Sequence, residues 1–257
     1  MKKLVSISIL LALVASCNNE KKPNGFITKK DSTTFACGGT PLPAEMAAKR
    51  KPPKTTTVDP ATGTTVSAQN IIYYCFTGRT ISGTGWNVSG DIICEPSGLN
   101  QLQIDSIMQR DSIAFDSLNV KLTTDESLYN KTPASNRLLV MFTITHGWYG
   151  NGAAGTSFIP SFGTANPVWI FTDLNKYRAL YLKEIAIHET GHGLNCYHQA
   201  AYDTCTYKSD YRKGTFMGYI YTTPMDNWWA KGPTPAGCNV LQNDLAQMAS
   251  VVGWKYK

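Results

Sequence analysis

Three of the four histidines in the chain lie within the segment HETGHGLNCYH, at 188–198. His188 and His192 are four positions apart, so on an α-helix their side chains project from one face, about one turn apart. Two imidazoles at this spacing can bind one zinc ion, with Zn–N distances of about 2.0–2.1 Å. Glu189 lies between them and can accept a proton from a water molecule that the metal activates. The segment therefore predicts a Zn²⁺ site with an adjacent general base.

A third ligand requires a change of chain direction. His198 follows His192 by six residues, so it cannot lie on the same helical face and reaches the metal only if the chain turns sharply. A helix end that reverses direction needs a residue with positive φ, usually glycine. Asn195 stands at this place, and asparagine tolerates the left-handed region better than other non-glycine residues. We therefore predict that His198 is the third metal ligand and that Asn195 makes the turn.

Other third ligands are possible in principle. Some zinc enzymes with two histidines on a helix use a later glutamate, but this chain has no Glu after Glu189. Four later aspartates remain as alternatives: Asp203, Asp210, Asp226 and Asp244. His198 has the better spacing. An arrangement of unrelated histidines on a solvated or buried helix is disfavoured, because so few histidines seldom produce this pattern by chance.

These residues give the chain a resemblance to the metzincin clan of zinc endopeptidases, whose signature HExxHxxGxxH it departs from only at Asn195. The segment TFMGY at 215–219 resembles the Met-turn of that clan, which implies that Met217 forms an apolar floor beneath the metal. Weaker similarity to bacterial secreted reprolysin-like members extends over 71–250. The resemblance implies a zinc endopeptidase in which Glu189 is the catalytic base.

The resemblance also implies roles for residues around the metal. In some members a tyrosine placed like Tyr219 binds zinc or donates a hydrogen bond to the oxyanion, with Tyr221 as the alternative here and simple packing as the other interpretation. His146 is interpreted as a structural or cleft-rim residue. The family binds its substrate antiparallel to an edge strand, and we assign that strand to GTSFIPSF at 155–162, where a proline favours an edge position.

Hydrophobic patterning predicts an α/β (α+β) domain at 69–257. The resemblance adds a mixed, mostly parallel twisted sheet with an antiparallel edge strand, an active-site helix, the Met-turn and a C-terminal helix. The predicted strands are 71–78, 119–126, 136–147, 155–162 and 167–173. The predicted helices are 99–118, 176–195 and 239–252, and the apolar side of the first includes Leu102, Ile107, Phe115 and Leu118.

The N-terminus has the features of an export signal. Two lysines precede an apolar run that ends in small residues, which is too short and wrongly flanked for a membrane span. The end of this run, VASC at 14–17, resembles a bacterial lipobox and implies a signal peptide at 1–16, cleavage, and lipidation of Cys17. An ordinary signal peptide is the alternative. We therefore expect an exported lipoprotein with a membrane anchor, on a membrane face that remains open.

Charge is distributed unevenly along the chain. Residues 1–68 contain ten Lys/Arg and four Asp/Glu, whereas 69–257 contain fourteen of each, so the net charge of +6 lies in the leader and the Pro- and Thr-rich segment after it. We interpret 17–68 as a flexible basic tether that lies near anionic lipid headgroups. A nucleic-acid-binding protein carries its basic patch on the folded domain, so no nucleic-acid partner is expected.

Cysteine usage agrees with export. Beyond Cys17 the chain contains six: Cys37, Cys75, Cys94, Cys196, Cys205 and Cys238. An even number in an exported chain predicts disulfides, and we favour Cys196–Cys205, with Cys75–Cys94 second. Cys37 is predicted as a disulfide partner, with a zinc-capping latency thiol as the alternative.

The sequence thus predicts a zinc-dependent endopeptidase that acts on protein or peptide substrates. Two other classes stay open. The first is a non-catalytic lipoprotein that keeps zinc as a structural element, which Glu189 disfavours because a structural site needs no general base. The second is a zinc amidase that acts on a non-protein substrate.

Overall fold

A computed structural model describes residues 37–42, 44, 56–58, 65–67, 69–150, 152–219 and 227–255. The described strands are β1 (Cys37–Pro41), β2 (Thr56–Val58), β3 (Thr65–Ser67), β4 (Asn70–Cys75), β5 (Arg79–Ile81), β6 (Ile92–Cys94), β7 (Val120–Thr123), β8 (Arg137–Thr143), β9 (Gly155–Ile159), β10 (Val168–Phe171), β11 (Ala200–Thr204), β12 (Tyr207–Tyr211), β13 (Lys231–Thr234) and β14 (Gly237–Asn243). The described helices are α1 (Gln101–Ala114), α2 (Glu126–Lys131), α3 (Ala179–Gly193) and α4 (Asp244–Val252), with a 3₁₀ turn at Ala134–Asn136.

The main sheet has six strands in the order β1-β9-β10-β8-β4-β7. Strands β10, β8, β4 and β7 are mutually parallel, and β9 runs antiparallel to β10. The continuous apolar run of β8 lies near the middle, as expected for a strand that is covered on both faces. The predicted α/β architecture with a mostly parallel mixed sheet is therefore confirmed.

The outermost strand differs from the prediction. Strand β1 pairs in parallel with β9, so the predicted edge position of 155–162 is wrong. The reason is that the backbone of Cys37–Pro41 uses the hydrogen-bonding groups on the outer side of β9. Leu42 continues this contact, since its amide N donates to the carbonyl of Ile159 at 3.1 Å and its side chain is buried. Strands β1, β2 and β3 all lie within the segment that was interpreted as a tether.

The two faces of the sheet carry separate apolar clusters. Along β4, Ile72 and Tyr74 face the cluster that contains α1 and α3, whereas Ile71 and Tyr73 face the opposite cluster. This alternation follows from the two-residue period of a strand. The opposite cluster is rich in tryptophan and phenylalanine, for example Trp86 and Phe158, whose rings stack with centroids 3.8 Å apart. The face with α1 and α3 carries the helix of His188 and His192.

Helix α1 is shorter than predicted, and Leu102 in its first turn is exposed to solvent instead of buried. Asn100 caps it, accepting a hydrogen bond from the backbone N of Gln103, while the Gln103 side chain accepts one from the backbone N of Asn100. Ile107 is fully buried as predicted, but Leu102 is 81% exposed. The prediction for Leu102 is wrong because the buried stripe starts a turn later, where α1 packs on α3.

The C-terminal part is two hairpins followed by a helix. The helix predicted over 239–252 is correct only for α4, because residues 237–243 pair with β13 as β14. In the part of the chain that has been described, no helix combines the length and hydrophobicity needed to cross a bilayer.

The disulfide pattern also differs from the prediction. Cys205 pairs with Cys238 and joins the β11–β12 hairpin to β14. The predicted Cys196–Cys205 and Cys75–Cys94 pairs are both wrong, since Cys75, Cys94 and Cys196 are buried free thiols. Cys196 is buried in the turn after α3, where its Sγ contacts the carbonyl of Asp244 at 3.5 Å instead of another cysteine.

Candidate metal centre

Helix α3 supplies the first two histidines, as its four-residue spacing predicts. His188 and His192 are both fully buried, along with the residues of the last two turns. Glycines allow this close packing. A Cβ atom on Gly193 would lie 2.9 Å from Val168 of β10. The helix therefore holds both imidazoles against the sheet in the interior of the molecule.

The chain then turns as predicted. Asn195 has φ of 82°, which confirms the left-handed conformation at the glycine-like position. Its backbone N donates to the carbonyl of His192 at 2.9 Å, and the next amide, of Cys196, donates to the carbonyl of Gly191 at 2.9 Å. These bonds close the C-terminus of α3 and direct the chain back, so that His198 faces the two helical histidines.

The three Nε2 atoms form a compact triangle. The distances are 3.1 Å for His188–His192, 3.1 Å for His192–His198 and 3.3 Å for His188–His198. A tetrahedral zinc ion with Zn–N bonds of about 2.0–2.1 Å separates its ligand nitrogens by about 3.3–3.4 Å. The triangle matches this spacing within about 0.3 Å, so the buried cluster can bind a metal ion.

The other ring nitrogens fix the tautomers of two of these histidines. Nδ1 of His188 lies 2.5 Å from the carbonyl O of Phe216, and Nδ1 of His192 lies 2.7 Å from that of Cys196. A carbonyl oxygen only accepts, so both Nδ1 atoms carry the proton and both Nε2 atoms present lone pairs. Two lone pairs 3.1 Å apart repel each other, and a cation placed among them converts the repulsion into attraction.

Burial keeps these rings neutral. It lowers the pKa of His188 to about 4, although the hydrogen bond to Phe216 acts in the opposite direction. Burial also lowers the pKa of His192 and His198 well below the usual value, and the neighbouring histidines lower them further. Metal ions bind neutral imidazole, so the environment favours the ligating form at neutral pH.

Glu189, which lies between His188 and His192 in the sequence, packs against β9 of the main sheet. It is fully buried, and a Cβ atom on Gly155 of β9 would lie 2.8 Å from its Cγ. The same atom would lie 2.8 Å from the carbonyl O of Trp169. Because Gly155 has no side chain, the Glu189 side chain can pack directly against the backbone of β9. This role of Gly155 was not predicted from the sequence, where the residue is marked only as the start of a predicted strand.

Met217 packs against α3 at Gly191, while its predicted role as a floor beneath a metal stays a prediction. It is fully buried, and a Cβ on Gly191 would lie 2.5 Å from its Sδ and 3.3 Å from the ring of Trp229. The turn that contains it is closed by a bond from the N of Gly218 to the carbonyl of Thr215 at 3.1 Å. Its neighbour Phe216 supplies the carbonyl that orients His188, so this turn contacts α3 through the Met217 side chain and the His188 ring through its backbone.

The structure treats the candidate tyrosines differently. Tyr219 is half-buried and its backbone N donates to the carbonyl of Arg212 at 2.9 Å, while the role of its hydroxyl stays a prediction. Tyr221 lies outside the described residues. Tyr211, which the sequence analysis did not consider, packs on the ring of His198 with centroids 4.9 Å apart. The polar sequence around Tyr211, at the end of β12, does not indicate a contact with His198.

The remaining candidates that the structure describes are not part of the histidine cluster. His146 pairs with Asp173, with Nε2 and Oδ2 3.0 Å apart, in agreement with a structural role. Asp203 and Asp210 are exposed on the β11–β12 hairpin. Asp244 accepts hydrogen bonds from Gln199, Gln242 and the backbone of Ala230. Asp226 and Cys17 lie outside the described residues. Among the described aspartates, Asp203, Asp210 and Asp244 are therefore not favoured over His198.

Comparison with known proteins adds no relative: no protein-family model, curated protein or solved structure matches this chain.

Proposed function

We propose that the chain is a zinc-dependent endopeptidase of the metzincin type. The observation that carries the proposal is the convergence of three buried Nε2 lone pairs beside a buried glutamate. Among the described residues, the metal-binding cluster comprises three protein ligands. Structural zinc sites commonly use four, whereas catalytic sites use three and leave a position for water or substrate. The ligand number therefore favours catalysis over a purely structural metal.

The chain's own residues supply the rest of the reaction. Zinc, when bound, would polarise the scissile carbonyl and lower the pKa of water to about 7. Glu189 takes the proton of the attacking water and passes it to the leaving amine. Its burial beside Gly155 excludes bulk water and restricts the carboxylate to one region. The carbonyls of Phe216 and Cys196 keep the rings of His188 and His192 oriented.

The substrate backbone is expected to pair with β9. This strand carries Gly155, the residue in contact with Glu189, so an extended peptide on its outer side passes close to the base. Strand β1 lies on that side, with the backbone of Cys37 opposite Gly155. A substrate strand must therefore replace β1. The two predicted roles of Cys37, disulfide partner and latency thiol, remain open.

We also propose export and lipid anchoring at Cys17. The Cys205–Cys238 disulfide supports export, because disulfides persist mainly in oxidising compartments. Replacement of Cys17 by Ser should release the protein from the membrane fraction or block its processing. An unchanged partition into detergent would contradict lipidation.

The test of the enzymatic proposal is cleavage of a proteome-derived peptide library by the purified, zinc-loaded protein. The full chain and a chain that begins after residue 42 are assayed in parallel, because β1 covers β9. We expect new peptide N-termini that disappear with a chelator and with Glu189→Gln, while the variant keeps its zinc. Zinc binding without any cleavage by either chain would favour the structural-zinc or amidase alternatives.

A further inference from the structure

The third ligand lies on a segment without regular secondary structure. His198 stands between the end of α3 and the start of β11, with Tyr197 and Gln199 on either side. Such a segment lacks the repeating backbone hydrogen bonds that fix a residue on a helix. Other contacts must hold His198 within reach of the two helical histidines.

On one side, the side-chain amide of Gln242 binds the backbone of Tyr197 twice. The N of Tyr197 donates to Oε1 of Gln242 at 2.8 Å, and Nε2 of Gln242 donates to the carbonyl of Tyr197 at 2.7 Å. A carboxamide offers one acceptor and a donor, which match the donor and acceptor of the residue. Gln242 therefore fixes the backbone directly before His198.

On the other side, the side chain of Gln199 binds Asp244. Nε2 of Gln199 donates to Oδ1 of Asp244 at 2.7 Å, and Nε2 of Gln242 donates to the same oxygen at 2.8 Å. The second oxygen, Oδ2, accepts from the backbone N of Ala230 at 2.9 Å. One carboxylate thus joins the two glutamines that flank the third ligand.

The three side chains are buried and closely surrounded. Gln199 and Asp244 are fully buried and Gln242 is 6% exposed, so water does not compete for their hydrogen bonds. A Cβ atom on Gly232 would lie 2.5 Å from Oε1 of Gln199. The absence of a side chain at Gly232 therefore makes the room that Gln199 needs.

We propose that Gln199, Gln242 and Asp244, which we call the carboxamide clamp, position His198 for metal binding. This inference rests on the proposed function. The clamp residues do not touch the Nε2 triangle, so they are positioning residues that act through His198. They place the metal affinity of the site under the control of the C-terminal segment that forms β14 and the start of α4.

The test compares three variants of the full chain. Gln242→Met keeps the side-chain length but removes both hydrogen bonds to Tyr197. Asp244→Asn is a milder change that replaces one acceptor with a donor facing Ala230. Asn243→Ala is the matched control, because Asn243 lies between the two clamp residues yet only caps α4, accepting from Ala246 at 3.1 Å.

Two measurements are made on each variant: zinc affinity against a competing chelator, and the visible absorption spectrum of the cobalt-substituted protein. We expect Gln242→Met to weaken zinc about 10–100-fold, the usual effect of losing a residue that orients a ligand. Its cobalt spectrum should change in the same experiment, because loss of His198 alters the coordination. Asp244→Asn should shift both in the same direction by less, and it decides the question if Gln242→Met does not fold.

Wild-type affinity and spectrum in the folded Gln242→Met and Asp244→Asn variants would overturn the clamp while leaving the enzyme proposal intact. An equal loss in Asn243→Ala would also overturn it, because the effect would then reflect general stability of the C-terminal segment. Failure of the wild-type chain to bind zinc would instead refute the proposed function itself.

Discussion

The three histidines are held by two different kinds of structure. His188 and His192 lie on α3, whose backbone hydrogen bonds and fully buried last turns fix both rings. His198 lies after the turn at Asn195, next to the β11–β12 hairpin, most of whose residues are exposed. In the first region geometry follows from the helical repeat and apolar packing. In the second it depends on one backbone conformation and a few buried polar side chains.

The polar contacts also serve different purposes in the two regions. Behind α3, Arg110 and Asn227 both bind the buried Glu184, at 3.3 and 2.8 Å, and so tie α1 to α3. These contacts supplement a large apolar core. Beside His198 the clamp residues themselves determine the backbone path. We therefore expect the helical region to tolerate small perturbations that the third-ligand region does not.

Removal of a ligand is the strongest way to break this comparison. His192→Ala should weaken zinc binding most, because it leaves one helical imidazole together with His198, which is not on a helix. His198→Ala should retain weak binding through the His188–His192 pair, with a loss that exceeds the about 100-fold upper end for orienting residues. Competition with a chelator measures both. His146→Ala is the control, since its ring pairs with Asp173 instead. Stronger residual binding in His192→Ala than in His198→Ala would reverse the comparison.

Acid should destabilise the metal-free protein through the buried His188 of α3. The pKa of His188 is lowered from 6.5 to about 4 in the folded protein. As the pH falls, His188 therefore binds a proton in the unfolded chain before it does so in the folded protein. The neutral ring of His188 makes its full contribution to the free energy of unfolding above about pH 6.5. This contribution decreases by about 3 kcal/mol as the pH falls to about 4.

Denaturant unfolding as a function of pH measures this loss. The control is metal-free His188→Gln, which lacks the titrating ring but keeps the other titrating groups. An identical pH profile for the wild-type protein and this variant would show that His188 does not contribute to stability as a buried neutral ring.

Displacement of the base should affect catalysis without affecting the metal. In Gly155→Ala the new Cβ would lie 2.8 Å from Cγ of Glu189, so the carboxylate must move. Misplacement by about 1 Å can cost about 100-fold in rate, and we expect a 10–100-fold loss in kcat with unchanged zinc affinity. Gly147→Ala is the control, because a Cβ there meets nothing within 4 Å. Parallel losses of zinc and activity would place the defect in the fold.

The smallest expected effect is at the turn. With φ of 82° at Asn195, Asn195→Val places a β-branched residue in a strained conformation that costs about 1–3 kcal/mol. The chain can relieve this strain by letting His198 leave the metal, so zinc affinity should fall. Asn195→Gly should equal or slightly exceed wild type. Equal zinc affinity of Asn195→Val and wild type would show that the turn does not position His198.

The sequence predicted the features that follow from local rules. The spacing of His188 and His192 defines a helical face, and Asn195 at the glycine position required positive φ, which the structure confirms. The alternating and continuous apolar runs similarly predicted β4, β8 and β10. Each of these depends on residues only a few positions apart.

The features that it missed join distant residues. Gln199 and Asp244 are 45 positions apart, and Cys205 and Cys238 are 33 apart, so no local pattern marks either pair. The helix predicted at 239–252 begins too early in the sequence. Val240 and Leu241 belong instead to β14, which pairs with β13. Both side chains are largely exposed, which local hydrophobicity does not anticipate.

The single metal site is tested most directly by a crystal structure of the zinc-loaded protein with anomalous data collected at the zinc absorption edge. We expect one strong anomalous peak, about 2.0–2.1 Å from Nε2 of each of the three histidines. The Nδ1 contacts of His188 and His192 to backbone carbonyls should remain. A peak coordinated by only two of these histidines, or one located elsewhere, would contradict the claim that helix and turn together build a single metal site.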